Sequence, residues 1–369
     1  MILKTIRLLI KFFLIVVGLI GFTKCRPKQK GLHREIVFHG LTSTDPNFVV
    51  LNNNFAKDST QVFFKQYIIH QAHVSSFEVL NDYYAKDEKS VYYCEEYREG
   101  RDYFFTKNKT ISTVENADPS SFKDLDYGYA KDNKQAYLDG RPFIVKDVES
   151  FKAIGAFISK DKFQVYYLTN PVIGIDGQSF ELLSGFYAKD NYNYYYYIYP
   201  NIDGKTIHKI CNIDSPLEIL EHPYSKNKTF VYYGSQKLIG LNPNTLEVIN
   251  SSFVKDDNIV MYGLKSIQSV DAASFIVPDQ TNQLTNSEYF TYDKNLVFFG
   301  YDIITGAKPD SFIILGFDYS SDKNYVYYKT KRVASADNKT FKILEYGYGG
   351  KDAEDDKNEY FQGKIILVK

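Results

Sequence analysis

The chain has 369 residues, with 44 Lys and Arg against 45 Asp and Glu and a formal net charge of −1. The two signs are interspersed, so there is neither the basic stripe of a nucleic-acid binder nor an acidic tail. A chain of this size buries enough surface to fold without disulfides, and its aromatic content is carried by 33 Tyr and 28 Phe with no Trp.

Residues 1–25 differ in kind from the rest. Lys4, Arg7 and Lys11 precede an apolar run from Phe12 to Phe22, the pattern of a secretory signal. Cys25 stands where a lipoprotein signal places its lipidated cysteine, although Lys24 departs from the small residue usual before it. The alternative is an uncleaved anchor. The run is short for a span, which needs about 20 residues, but Leu8 to Phe22 with a snorkelling Lys11 extends it. Lys24, Arg26, Lys28 and Lys30 follow the run, so flanking charge does not orient such an anchor. Both readings place the protein at the membrane and outside the cytoplasm, in a bacterial cell envelope. The expected organisation is a signal peptide or anchor at 1–25, a basic linker at 26–35 and a β-repeat domain at 36–369.

From Ile36 onward one unit of about 29 residues recurs roughly ten times. Its turn position is Asp58, Asp87, Asp132, Asp161, Asp190, Asn227, Asp256, Asp293, Asp322 and Asp352. Three steps are longer, by 16, 8 and 8 residues. Two of these insertions follow the Tyr pair, at 94–113 and 197–212. The third lies between Phe275 and Asp293.

Within a unit, Val-Tyr-Tyr (Val165-Tyr166-Tyr167) is β-branched and aromatic and favours strand. Side chains alternate, so Val165 and Tyr167 share one face and Tyr166 takes the other. A Gly or polar turn and a short return strand follow, as in Tyr233-Gly234-Ser235-Gln236-Lys237-Leu238. Next come an Asp-Pro-like turn and Ser-Phe-x-x-Leu, then a strand ending in Tyr-Ala-Lys-Asp. The aspartate reverses the chain by bonding nearby backbone N–H groups, a job Asn227 shares. This gives three or four short strands per unit. One unit cannot bury its own apolar face, but stacked neighbours can. The series Phe48, Phe77, Phe122, Phe151, Phe180, Phe275, Phe312 and Phe341, with Leu217 and Leu246, is the expected core ladder.

Asp322-Lys323-Asn324-Tyr325-Val326-Tyr327-Tyr328, Asp293-Lys294-Asn295-Leu296-Val297-Phe298-Phe299 and Tyr84-Ala85-Lys86-Asp87 with Val91-Tyr92-Tyr93 carry a resemblance. Ala117-Asp118-Pro119-Ser120-Ser121-Phe122 adds to it. The chain from about 36 to 369 resembles the DKNYY-type bacterial repeat family. The resemblance implies an architecture and no activity. The fold expected is all-β, an open, solenoid-like tandem array of short hairpins, with a closed propeller-like ring as the alternative.

The chemistry of an enzyme is not visible. There is no Gly-x-Ser-x-Gly, phosphate loop or zinc-spaced cysteine pair. His70 and His73, three apart, would lie on opposite faces of a strand. The repeated Asp-x-Asn reads as a turn rather than a calcium loop, because further carboxylates at ligand spacing are missing. Asp352, Asp355, Asp356 and Glu359 read as a solvated terminal turn. Cys94 and Cys211 read as unpaired thiols in the insertions. No cofactor, metal or nucleic acid is expected.

Two binding readings remain. The first tyrosines of the pairs (Tyr92, Tyr166, Tyr195, Tyr232, Tyr327) could form an exposed row that stacks on envelope glycan, although packing against neighbouring units and Lys stems is the stronger reading. The insertions could recognise a protein partner from a rigid scaffold, against neutral length variation. The residues they offer are Tyr97, Arg98, Arg101, Tyr103, Phe104, Tyr197, Tyr199 and His208. The leading expectation is a non-enzymatic, membrane-tethered, extracytoplasmic scaffold for protein–protein interaction, with a glycan-binding module as the alternative.

Overall fold

A computed structural model describes residues 36–100, 103–198, 207–278, 289–344 and 350–368. The N-terminal segment with Cys25, and the loop residues Arg101 and Tyr199, lie outside the described residues. The protein is all-β. Single 3-10 turns occur at Ala272–Ser274 and Pro309–Ser311, and no α-helix occurs among the described residues. The strands form small antiparallel meanders in which each strand pairs with the next in sequence. Nine of these sheets have four strands among the described residues. They make no closed barrel there, and within each compact unit the tandem sheets follow one another as an open, solenoid-like stack. The chain divides into two compact units, residues 1–192 with 197–207 and residues 193–196 with 208–369.

One sheet of the first unit shows the plan. Its strands are Lys152–Ala153, Ile158–Lys160, Val165–Tyr167 and Asn170–Val172. Asp161 turns the second strand into the third. The outer strand carries Pro171, and its counterparts carry Arg141-Pro142 or Lys331-Arg332. Proline and charge on an edge discourage pairing with another chain.

The central strands of sheets that have a neighbour on either side within their unit are buried on both faces. In the first unit, Tyr84, Val91 and Tyr93 of one sheet meet Phe122, Ala130 and Tyr137 of the next. The Phe122 ring lies 5.4 Å from Tyr84 and 5.3 Å from Tyr137. The second unit repeats this, with Phe341 at 5.4 Å from Tyr319 and 5.3 Å from Tyr360. The expected Phe ladder is therefore the inter-sheet core. Phe48, Phe77, Phe122, Phe151, Phe180 and Phe275 are buried. Phe312, Phe341, Leu217 and Leu246 are half-buried. The first tyrosine of each pair lies on the same face as this Phe, so the exposed tyrosine row does not form. Tyr92, Tyr166, Tyr195, Tyr232 and Tyr327 are each at most 4% exposed.

The hydroxyls of these tyrosines close a repeated clasp. Asp161 Oδ1 accepts the N–H groups of Phe163 and Gln164, both at 2.8 Å. Its Oδ2 accepts N–H from Lys146 and Asp147 and the hydroxyl of Tyr166 at 2.8 Å. The same carboxylate thus shapes its own turn, holds the preceding turn and satisfies a buried phenol. Asp87 with His73 N–H and Tyr92, and Asp132 with Asp118 N–H and Tyr137, repeat it. In the last unit the clasp belongs to Asp355, which takes Asp337 N–H and the Tyr360 hydroxyl. The final turn residue is therefore Asp355 and not Asp352, and it is only 2% exposed rather than solvated. Asp352 instead accepts the hydroxyl of Tyr319 and the N–H of Gln362. The serine that precedes most of these Phe residues links the two turns. Ser121 Oγ donates to Asp118 and accepts N–H from Asn133.

A second device joins successive sheets. In several units the lysine before the turn residue donates to a carbonyl of the following sheet's leading turn. Lys57 reaches Val74 at 2.9 Å, Lys131 reaches Val148 at 2.9 Å, and Lys226 reaches Pro243 at 3.1 Å. The hairpin glycines fit the same interface. Gly140 (φ +72) and Gly363 (φ +74) sit in left-handed turns, and a Cβ there would lie 2.6 and 2.5 Å from the Cβ of Tyr93 and Tyr328. Only glycine tolerates both the backbone and the contact.

Phe122→Ala should destabilise the protein by about 3–5 kcal/mol, as expected for a buried ring between two sheets. A loss under about 1 kcal/mol in denaturant melts would remove this ladder from the core. Asp161→Asn should cost about 1–3 kcal/mol, more than a plain turn substitution. Asparagine keeps the Oδ1 turn and can donate to the phenol, as Asn227 does to Tyr232. It leaves the N–H of Asp147 without its acceptor, while Lys146 N–H keeps the Tyr166 hydroxyl at 2.8 Å. Calorimetry giving no change in melting temperature would show the Oδ2 contacts to be idle.

Candidate functional site

The two insertions lengthen the third and fourth strands of their sheets. The first pairs Val91–Tyr97 with Asn108–Thr113, and the second involves Asn193–Tyr197 and Ile207–Asn212. In the first, the arms are anchored by charge. Glu96 receives Lys65 at 2.8 Å and Lys107 at 3.1 Å. Burial is the largest influence on Glu96 and raises its pKa, but the two lysines together hold it below the usual carboxylate range. The Lys109 ammonium lies 3.5 Å from the centre of the Tyr67 ring in the preceding sheet.

The tip closes on itself. Arg98 donates to the carbonyls of Tyr103 and Phe104, both at 3.1 Å. Tyr103 is half-buried and meets the Phe104 ring edge-on at 5.2 Å. Phe104 and Phe105 are held out to solvent, 80% and 89% exposed. Tyr97 is half-buried opposite Asn108. Of the described candidates from this loop, Phe104 is the exposed one, Arg98 is occupied in shaping the tip, and Phe105 is an addition that the sequence reading passed over. Its signal was the adjacent aromatic pair outside any repeat position.

The second insertion offers less. The Tyr197 hydroxyl donates to Gly185 at 3.1 Å and its ring packs edge-on to Phe186 at 5.7 Å. His208 is half-buried, and its Nε2 is shielded with no hydrogen-bond partner. Cys94 and Cys211 are free thiols, and burial pushes both upward from the usual thiol pKa. His73 gives its N–H to Asp87 and its ring to Ser76, not to His70. Among the described residues no group of His, Cys, Asp and Glu has the arrangement of a metal site, and no helix is long and apolar enough to cross a membrane.

The array of sheets, turn aspartates and tyrosines is matched along the chain by the DKNYY family, at residues 10–96, 97–215, 146–265 and 253–368. The chain belongs to the DKNYY family. No curated protein and no solved structure matches it. The DKNYY letters now have physical roles in Asp322-Lys323-Asn324-Tyr325-Val326-Tyr327-Tyr328. Asp322 Oδ1 accepts N–H from Asn324 and Tyr325, and its Oδ2 accepts N–H from Lys308 and the hydroxyl of Tyr327. Lys323 gives its N–H to Ser311, and Arg332 lies 3.4 Å from the centre of the Tyr325 ring. Val326 faces the core, and Tyr328 leans on Tyr319.

The clasp has an electrostatic signature. Burial is the largest influence on Asp87, Asp132 and Asp355 and raises their pKa values. The N–H and hydroxyl donors together outweigh it, and all three fall below 3.8. A carboxyl depressed in the folded state stabilises fully above its unfolded pKa, and that stability is lost as pH falls through the folded value. Thermal melts should therefore hold level above about pH 5 and drop steeply below about pH 4. Asp132→Asn should flatten the drop. An unchanged acid limb in that variant would assign acid lability elsewhere.

Proposed function

We propose that this DKNYY protein is a non-enzymatic, membrane-tethered, extracytoplasmic scaffold whose first insertion hairpin recognises a protein partner. The observation that carries the reading is the tip. Two adjacent phenylalanines stand in solvent on arms pinned by Lys65, Glu96 and Lys107. Exposed aromatics on a rigid support are the usual centre of a protein interface, because they bury a large area at small entropic cost. The tethering part rests on the basic, apolar, Cys-ended segment 1–25. Either lipid on Cys25 or an uncleaved anchor would serve.

Affinity capture with the full-length chain from native envelope, compared with the Phe104→Ser/Phe105→Ser variant, tests the first part. A partner should be lost with the variant while its melting temperature stays unchanged, since neither ring supports the core. Retention of the partner at full strength would place recognition elsewhere. Fractionation with palmitate labelling tests the second part. Full-length protein in the soluble cytoplasm would refute both modes of tethering.

A further inference from the structure

The lysine before the turn residue stands opposite a first-strand residue on the same sheet face, and in most places that residue is acidic. Glu78 faces Lys86, Glu181 faces Lys189, Glu218 faces Lys226 and Glu247 faces Lys255. The charged atoms are 3.8, 3.0, 3.7 and 3.5 Å apart. Two consecutive sheets of the first unit invert this pattern. Lys123 faces Lys131, and Lys152 faces Lys160. Like charges directly opposite destabilise a sheet, and here nothing in the fold requires them.

The inner lysines are committed. Lys131 donates to the carbonyls of Val148, Glu149 and Phe151, and Lys160, which is buried, donates to those of Gln178 and Phe180. Lys123 and Lys152 are exposed. Three of the acids nearby are engaged. Glu181 is paired with Lys189, Asp147 with Lys162, and Asp176 with Ser179. Glu149 is exposed near Lys131. Beside the second pair lies a cavity of about 390 Å³ whose lining includes Lys152, Lys160, Gln178 and Glu181 with the aliphatic side chains of Ile154 and Leu182.

We propose that this cavity and the two lysine pairs bind an acidic peptide segment of a partner protein. Carboxylates would supply the missing negative charge. The aliphatic wall of Ile154 and Leu182 favours a peptide over a bare polyanion, which has no apolar part to bury. Face-to-face sheets lie about 10 Å apart, a distance about three residues of extended chain span, so two acidic residues so spaced reach both pairs. The surface is separate from the hairpin tip, and its test does not depend on the partner captured there.

The probe is a fluorescein-labelled peptide with glutamate at every third position among leucine and glycine, titrated with the full-length chain in mild detergent. Binding should be saturable, and Lys152→Glu should weaken it about ten-fold, with a further loss on adding Lys123→Glu. The melting temperature should rise in the same variants, because each recreates the Glu–Lys pair of the other sheets. Lys152→Gln should give an intermediate loss, and Lys89→Glu, an exposed change elsewhere, none. Unchanged affinity in the double variant, or no saturable binding by the intact chain, would overturn the proposal. Equal, lysine-dependent binding of inorganic polyphosphate of matched charge would overturn the peptide assignment.

Discussion

The structure depends on one carboxylate per unit and the donors it gathers. An ionised aspartate offers acceptor sites on both oxygens and no donor. In Asp161 one oxygen is filled by two N–H groups of its own turn, and the other by the preceding turn and the Tyr166 hydroxyl. This places a phenol deep between two sheets with its polar end satisfied. A buried hydroxyl without a partner costs about 1–3 kcal/mol, so the tyrosine at this site depends on the aspartate. Where the tyrosine is replaced by Phe63, Met261 or Phe298, no hydroxyl needs an acceptor. At Asp256 the carboxylate still holds both turns: its Oδ1 accepts N–H from Asn258 and Ile259, and its Oδ2 accepts N–H from Asn242.

The period of the repeat, the strand at Val-Tyr-Tyr and the Phe ladder were legible because they are written in residue type and spacing. The role of the first tyrosine was only half legible. Alternation correctly put Tyr166 and Tyr167 on opposite faces, but an isolated sheet has an outside, whereas these sheets are covered on both faces. Asn227 keeps the turn as expected, accepting the N–H groups of Thr229 and Phe230 on Oδ1, but the longer reach of the aspartates was not legible. A turn looks local in sequence, and the 14-residue reach from Asp132 back to Asp118 does not. At the end of the chain, Asp352 kept the spacing closer, but Asp355 has the tyrosine five residues later that completes the clasp.

The candidate site was legible as a place and less so as a set of groups. Insertion length located the hairpin between Val91 and Thr113, but geometry assigned the parts. Arg98, which looked like a binding cation, spends its guanidinium on the loop's own carbonyls. Tyr197 is likewise occupied by Gly185 and Phe186. The inverted lysine pairs escaped notice because each residue is ordinary by itself. They stand out only when cross-strand register aligns Lys123 and Lys152 with Glu78, Glu181, Glu218 and Glu247.

The reach of the clasps and staples bears on how such a chain changes length over generations. A clasp spans 14 residues back from its aspartate, and a staple spans 17 forward from its lysine. Each unit therefore carries half of the interface on either side of it. Duplicating or deleting one whole period creates a junction already present elsewhere in the chain, so no new complementarity has to be found. Cutting within a period separates an aspartate from its tyrosine or a lysine from its carbonyl. Gene-level gain and loss should thus proceed in whole units, while smaller length changes collect where they spare the contacts: the first insertion leaves the clasp of Asp87 and Tyr92 intact, and the one after Phe275 lengthens the reach from Asp293 back to Asp271 to 22 residues without breaking it.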